Sequence, residues 1–94
     1  MADLASIHVF VRGHVKGVFF RDFVSRHAAA LGLTGYVRNV PGKNEVEVRA
    51  EGEKKLLEDL ISYLKIGPPR AQVEDIATDW SEYTGKYTDF KVVY

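Results

Sequence analysis

Cysteine is absent from the 94 residues, which excludes disulfides, thiolate metal sites and a cysteine nucleophile. That lack suits the reducing cytoplasm, the expected compartment. Net charge is absent too: 13 Lys and Arg balance 13 Asp and Glu, so a broad basic face for nucleic acid is not expected. No apolar run approaches the length of a membrane span, and no basic segment leads into an apolar one at the N-terminus. Neither a membrane partner nor a signal peptide is therefore expected. Linkers, repeats and low-complexity tracts are lacking, so residues 1–94 read as a single soluble domain, expected to be monomeric. What is present is ordinary for a globular chain: 46% hydrophobic and 28% charged residues rule out a disordered composition.

The charges are unevenly spread. Residues 1–50 hold seven Lys/Arg and four Asp/Glu, and residues 51–94 hold six and nine, so the halves carry +3 and −3. Between Arg12 and Arg38 the only acid is Asp22, set among Lys16, Arg21 and Arg26. A small anion would be favoured there, although scattered surface charge gives the same pattern.

Alternation over Ser6–His14 puts Ile7, Val9 and Val11 on one face, which predicts a strand. From about Arg21 the period becomes helical: Phe20, Phe23, Val24, His27, Ala28 and Leu31 form one stripe that ends at Gly32. Thr34–Val40 predicts a second strand, Pro41-Gly42-Lys43-Asn44 a turn, and Glu45–Glu51 a third strand. There Val46, Val48 and Ala50 face inward, and Glu45 and Glu47 read as a solvated face, as do Glu74 and Asp75 later. Leu56, Leu57, Leu60, Ile61 and Leu64 mark a second helix, stopped by Gly67-Pro68-Pro69. Gln72–Glu82 and Phe90–Tyr94 are expected strands. The order βαββαβ with an extra C-terminal strand predicts an α+β fold, a ferredoxin-like α/β sandwich with two helices on one face of an antiparallel sheet. Such a fold hosts many functions, so chemistry has to come from a site.

The informative stretch is Gly13-His14-Val15-Lys16-Gly17-Val18-Phe19-Phe20-Arg21, joining the first strand to the first helix. Two glycines in five residues allow a tight path that turns amides inward. The helix start adds unpaired N–H groups and the positive end of its dipole. Together these make a cup for a phosphate-sized anion, with the Arg21 fork beside it. A plain tight connection with an exposed arginine fits the spacing equally well. The stretch is no Walker loop, because no Lys-Ser/Thr pair follows. Its partial match to an RNA-binding pattern fails at Val18, Phe19 and Arg21, and it runs into a helix where an RNA-stacking motif needs a strand.

Gly13-x-Val15-x-Gly17-Val18-x-Phe20-Arg21 resembles the first signature of the acylphosphatase family, and Gly35-Tyr36-Val37-Arg38-Asn39 resembles the second. The likeness runs the whole chain, including Glu51-Gly52 and Gly67-Pro68-Pro69. It implies an enzyme that cleaves the carboxyl–phosphate bond of an acyl phosphate by in-line attack of water, with inorganic phosphate as product and inhibitor. It implies no cofactor and no metal. By the same resemblance Arg21 clamps the phosphoryl oxygens with the backbone N–H groups of Val15, Lys16, Gly17, Val18, Phe19 and Phe20. Asn39, otherwise a turn residue before Pro41, orients the water. Lys16 departs from the family's usual glutamine; its ammonium either stands near the dianion, strengthening binding most at low salt, or points away as a solvated side chain.

So sparse a site agrees with the chemistry. Phosphoryl transfer needs positioning and charge neutralisation, and a carboxylate leaving group, with a conjugate-acid pKa of roughly 4 to 5, departs without a general acid. Other candidates remain at this point. His14 borders the cup and could serve as a phosphohistidine nucleophile, His27 reads as packed on the helix stripe, and His8 as outer-face. Phe10, Tyr36 and Trp80 read as packing residues. A non-catalytic RNA- or anion-binding module and a carbamoyl-phosphate-handling domain are the rival functions.

Overall fold

The computed structural model describes residues 3–94. Seven elements follow in order: β1 (Leu4–His14), α1 (Phe20–Ala30), β2 (Thr34–Asn39), β3 (Glu45–Glu53), α2 (Lys54–Ile66), β4 (Gln72–Glu82) and β5 (Phe90–Val93). They build a five-stranded sheet in the order β4-β1-β3-β2-β5.

Alternation sorts each strand into two faces. Ile7, Val9 and Val11 of β1 lie level with Ala50, Val48 and Val46 of β3, and Val37 of β2 lies level with Val48. All of these are buried. Onto them α1 sets Phe20, Val24 and Ala28, and α2 sets Leu57, Leu60 and Leu64, closing one core between helices and sheet. Leu33 and Gly32 end α1 by donating to the Ala28 and Ala29 carbonyls at 2.9 and 3.0 Å, the paired bonds of a Schellman cap. His27 lies in the seam between the helices, its ring 3.9 Å from that of Tyr63 and 4.5 Å from that of Phe23.

The sheet is mixed. β1, β2, β3 and β4 pair antiparallel, as their order predicts, whereas β5 runs parallel to β2. The direction follows from topology: β2 and β4 run oppositely, so the single reversal through residues 83–89 lays β5 parallel to β2.

The face away from the helices overturns one expectation. Glu45 and Glu47 are not solvated; only 7% and 5% of their surface is exposed. They lie on a central strand, and long neighbours from β1 and β2 close over them. Arg12 Nε donates to Glu45 at 2.9 Å. Glu47 accepts from His8 Nε2 at 2.6 Å, from the Tyr36 hydroxyl at 3.1 Å and from Arg38 Nε. An Arg49 nitrogen lies 3.1 Å from His8 Nδ1. Guanidinium only donates, so Nδ1 accepts and the Nε2–H faces Glu47. Burial pushes Glu47 up, yet the bonds from His8, Arg38 and Tyr36 outweigh it and hold the carboxyl below its ordinary pKa. Glu74 and Asp75, on edge strand β4, are exposed as expected. Trp80 on the same strand is exposed as well, with the Lys54 ammonium 6.0 Å from its ring, and so is no core residue.

Candidate active site

The loop between β1 and α1 begins at a bulge, where the β1–β4 register shifts between Arg12 and Gly13. The Gly13 amide donates to the Asn44 carbonyl at 3.1 Å, fixing the loop's entry to the β2–β3 turn. Beyond it the backbone is left-handed at Gly17 (φ 69°) and at Phe19 (φ 62°), the N-cap residue just before α1. Among the described residues, no amide from Lys16 to Phe20 donates to a turn or loop carbonyl. Unpaired amides on a backbone of changing hand, at a helix N-terminus, make a concave positive surface. Val18 and Phe20 anchor this loop by burying their side chains beneath it.

A cleft of about 410 Å³ opens beside the loop. Val15, Gly17, Phe19, Phe20, Arg21 and Asp22 form one side of it, and Asn39, Val92 and Tyr94 complete the lining. Asn39 arrives there by strand parity. It shares the helix-facing side of β2 with buried Val37, at the strand end nearest the loop. Val92 stands level with Val37 across the parallel pair, so β5 supplies the far wall.

Arg21 is the cation of this cleft. Its guanidinium reaches the Val93 carbonyl at 3.4 Å and lies 4.5 Å from the Tyr94 ring centre. Among the described residues no Asp or Glu pairs with Arg21; neighbouring Asp22 is turned to Arg26, one helical turn on, at 3.0 Å. The guanidinium therefore lines the cleft without a carboxylate partner among the described residues. Among the described residues, no group of three or more His, Asp or Glu is placed to hold a metal ion.

Of the residues singled out in the sequence, Arg21, Asn39, Val15, Gly17, Phe19 and Phe20 meet in the cleft, while Lys16 and Val18 do not line it. The Lys16 ammonium instead donates to the Val40 carbonyl at 2.7 Å, and Lys16 borders a separate groove with His14, Lys43 and Glu74. His14 shares that second groove and does not line the cleft. Val92 and Tyr94 were not legible as site residues, because they reach the cleft only through the parallel placement of β5.

A small α+β sandwich whose first loop leaves, among the described residues, unpaired amides beside an arginine without a carboxylate partner offers a surface suited to a phosphate-sized anion. The acylphosphatase family model matches residues 7–92. The acylphosphatase of Dehalococcoides mccartyi is 45% identical over 86 residues, spanning 92% of this chain and 94% of that protein. Among solved structures, the Bacillus subtilis acylphosphatase superposes with a TM-score of 0.91 at 34% identity, covering 98% of this chain and 100% of its own. The Coxiella burnetii acylphosphatase gives 0.86 at 40%, covering 97% and 94%. The chain belongs to the acylphosphatase family and is an enzyme of that hydrolase class.

Proposed function

We propose that the chain hydrolyses acyl phosphates without a metal, by in-line attack of water on phosphorus. The carrying observation is the convergence of Arg21, Asn39 and the unpaired loop amides on one cleft. The amides of residues 15–20 and the planar Arg21 fork neutralise the phosphoryl oxygens, most strongly as charge spreads over them in the transition state. Asn39 accepts a hydrogen bond from the water and orients its lone pair toward phosphorus. The water oxygen forms the new P–O bond while the bond to the carboxylate oxygen breaks. The carboxylate leaves with the electron pair, and the water's proton passes to the phosphate product or to solvent. The good leaving group removes the need for a general acid. Against the RNA-binding reading stands the open sheet face, where Arg12 and Arg38 are already engaged by Glu45 and Glu47 rather than left for a phosphate backbone.

Release of phosphate from acetyl phosphate in the presence of EDTA tests this. Activity should survive exhaustive chelation; strict dependence on an added divalent ion overturns the mechanism. Asn39→Ala should lower kcat about 100-fold, as loss of one preorganised contact does, while competitive inhibition by phosphate weakens far less. Arg21→Ala should damage both, and Arg21→Lys should restore little, being a point charge without the fork. Equal loss of turnover and phosphate affinity in Asn39→Ala would move that residue from the water to the anion.

A further inference from the structure

Phe19 is out of place as a structural residue. Its neighbours Val18 and Phe20 are buried, but Phe19 is 76% exposed. Among the described residues it is the only non-glycine with a positive φ, a conformation that a bulky side chain adopts at a cost and that glycine or asparagine adopts readily. It occupies the cap position of α1, yet forms no side-chain capping bond there. Packing, capping and backbone preference all fail to account for a phenyl ring at this position. An outlier of that kind is held where function uses it.

The cleft supplies the use. Its lining sets polar Arg21, Asp22 and Asn39 among apolar side chains. Val92 and Tyr94 stand on or just past β5, beside the strand that carries Asn39, and Tyr94 lies under the Arg21 guanidinium. Phe19 instead comes from the loop that leads into α1. An acyl phosphate likewise joins a dianionic phosphoryl group to a carbon chain or ring. In-line attack requires the leaving carboxylate on the far side of phosphorus from the water, which directs the acyl group away from Asn39. We propose that Phe19 forms the acyl subsite and that it selects aromatic acyl groups over acetyl. This rests on the acyl-phosphate reading above. An aryl ring gains apolar contact and an aromatic pair against Phe19, whereas a methyl group gains little of either.

The test compares kcat/KM for benzoyl phosphate and acetyl phosphate, with EDTA present, in the unaltered chain, Phe19→Asn and Phe19→Tyr. Asparagine tolerates the left-handed backbone and removes the ring; tyrosine keeps the ring. The ratio of the two kcat/KM values cancels any damage common to both substrates, including damage to the loop amides. It should fall about tenfold in Phe19→Asn, equivalent to about 1.4 kcal/mol, and stay within about twofold in Phe19→Tyr, as a retained aromatic face implies. The melting temperature of Phe19→Asn should hold or rise. An unchanged ratio in Phe19→Asn, or an equal fall in Phe19→Tyr, overturns the subsite while leaving acyl-phosphate hydrolysis standing. Failure of the unaltered chain to release phosphate from either compound overturns both.

Discussion

Gly13 and Gly17 stand in one short loop and answer to different constraints. At Gly13 (φ 133°) an added Cβ would lie 2.1 Å from the Gln72 carbonyl oxygen, so the neighbouring strand itself forbids a side chain. At Gly17 (φ 69°) no heavy atom lies within 4 Å of such a Cβ, and only the backbone conformation favours glycine. Gly17→Ala should therefore cost about 1 kcal/mol of stability. Gly13→Ala should cost more than the ~1–3 kcal/mol of a strained backbone alone, because β1 and β4 have to separate. Urea denaturation of the two variants measures this, and equal losses would contradict the close approach. The sequence marks both glycines but not their separate reasons, since the partner of Gly13 lies far along the chain. Phe19 carries no sequence mark of its left-handed turn at all; nothing in its residue type signals it.

At the scale of the element, the β1–α1 loop is tied to the β2–β3 region by two contacts, the Gly13 amide on the Asn44 carbonyl and the Lys16 ammonium on the Val40 carbonyl. Val40 follows Asn39 directly, so the second tie couples the loop to the strand end that bears Asn39. A hydrogen bond from a charged donor contributes about 1.5–3 kcal/mol when shielded, enough to hold a few loop residues in register. Lys16→Met keeps the apolar stem and removes the donor; it should lower kcat several-fold, with phosphate inhibition less affected. Lys16→Gln, a shorter neutral donor, should recover part of the loss. Because the ammonium is engaged by a carbonyl, kinetics of Lys16→Met and the unaltered chain should run parallel across a salt series. A loss of phosphate binding confined to low salt would restore a direct pull on the anion. Lys16 was legible as a departure from the family pattern, but its partner was not, since Val40 offers only a backbone atom. β3 shows the same limit. Its alternation fixes which side chains face the helices, but alternation cannot say that Arg12, Arg38, His8 and Tyr36 will close over Glu45 and Glu47.

Across the whole molecule, periodicity makes the two helices and strands β1, β2 and β3 readable, because each buries an apolar stripe or face. The final crossing is less readable, since residues 83–89 bury little and are held by polar groups. Glu51, only 1% exposed, does much of that holding. Its carboxylate accepts from the Thr84 hydroxyl at 2.7 Å, the Thr84 amide at 3.2 Å and the Gly85 amide at 3.0 Å. The bonds link β3 to the segment that delivers β5, and β5 brings Val92 and Tyr94 to the cleft, so the far wall of the site depends on a carboxylate on the opposite face of the sheet. Burial pushes Glu51 up, but the bonds from Thr84 and Gly85 prevail and hold it below the ordinary carboxylate range. The sign follows: the folded state holds this proton less tightly, so the unfolded chain binds more protons at acid pH. The resulting stability is complete above the unfolded glutamate pKa of about 4.3 and is lost as pH falls through the lower folded value. Glu51→Gln keeps the shape but cannot accept on both side-chain atoms. It should cost about 1–3 kcal/mol at neutral pH, as a buried amide left unpaired does. The difference from the unaltered chain should narrow as pH drops below about 4, where the carboxylate too is being protonated. Urea denaturation at a series of pH values reads both effects. Curves that stay parallel down to acid pH would mean that Glu51 is not ionised in the folded protein, and the clamp would then have to act as a neutral hydrogen-bonded group.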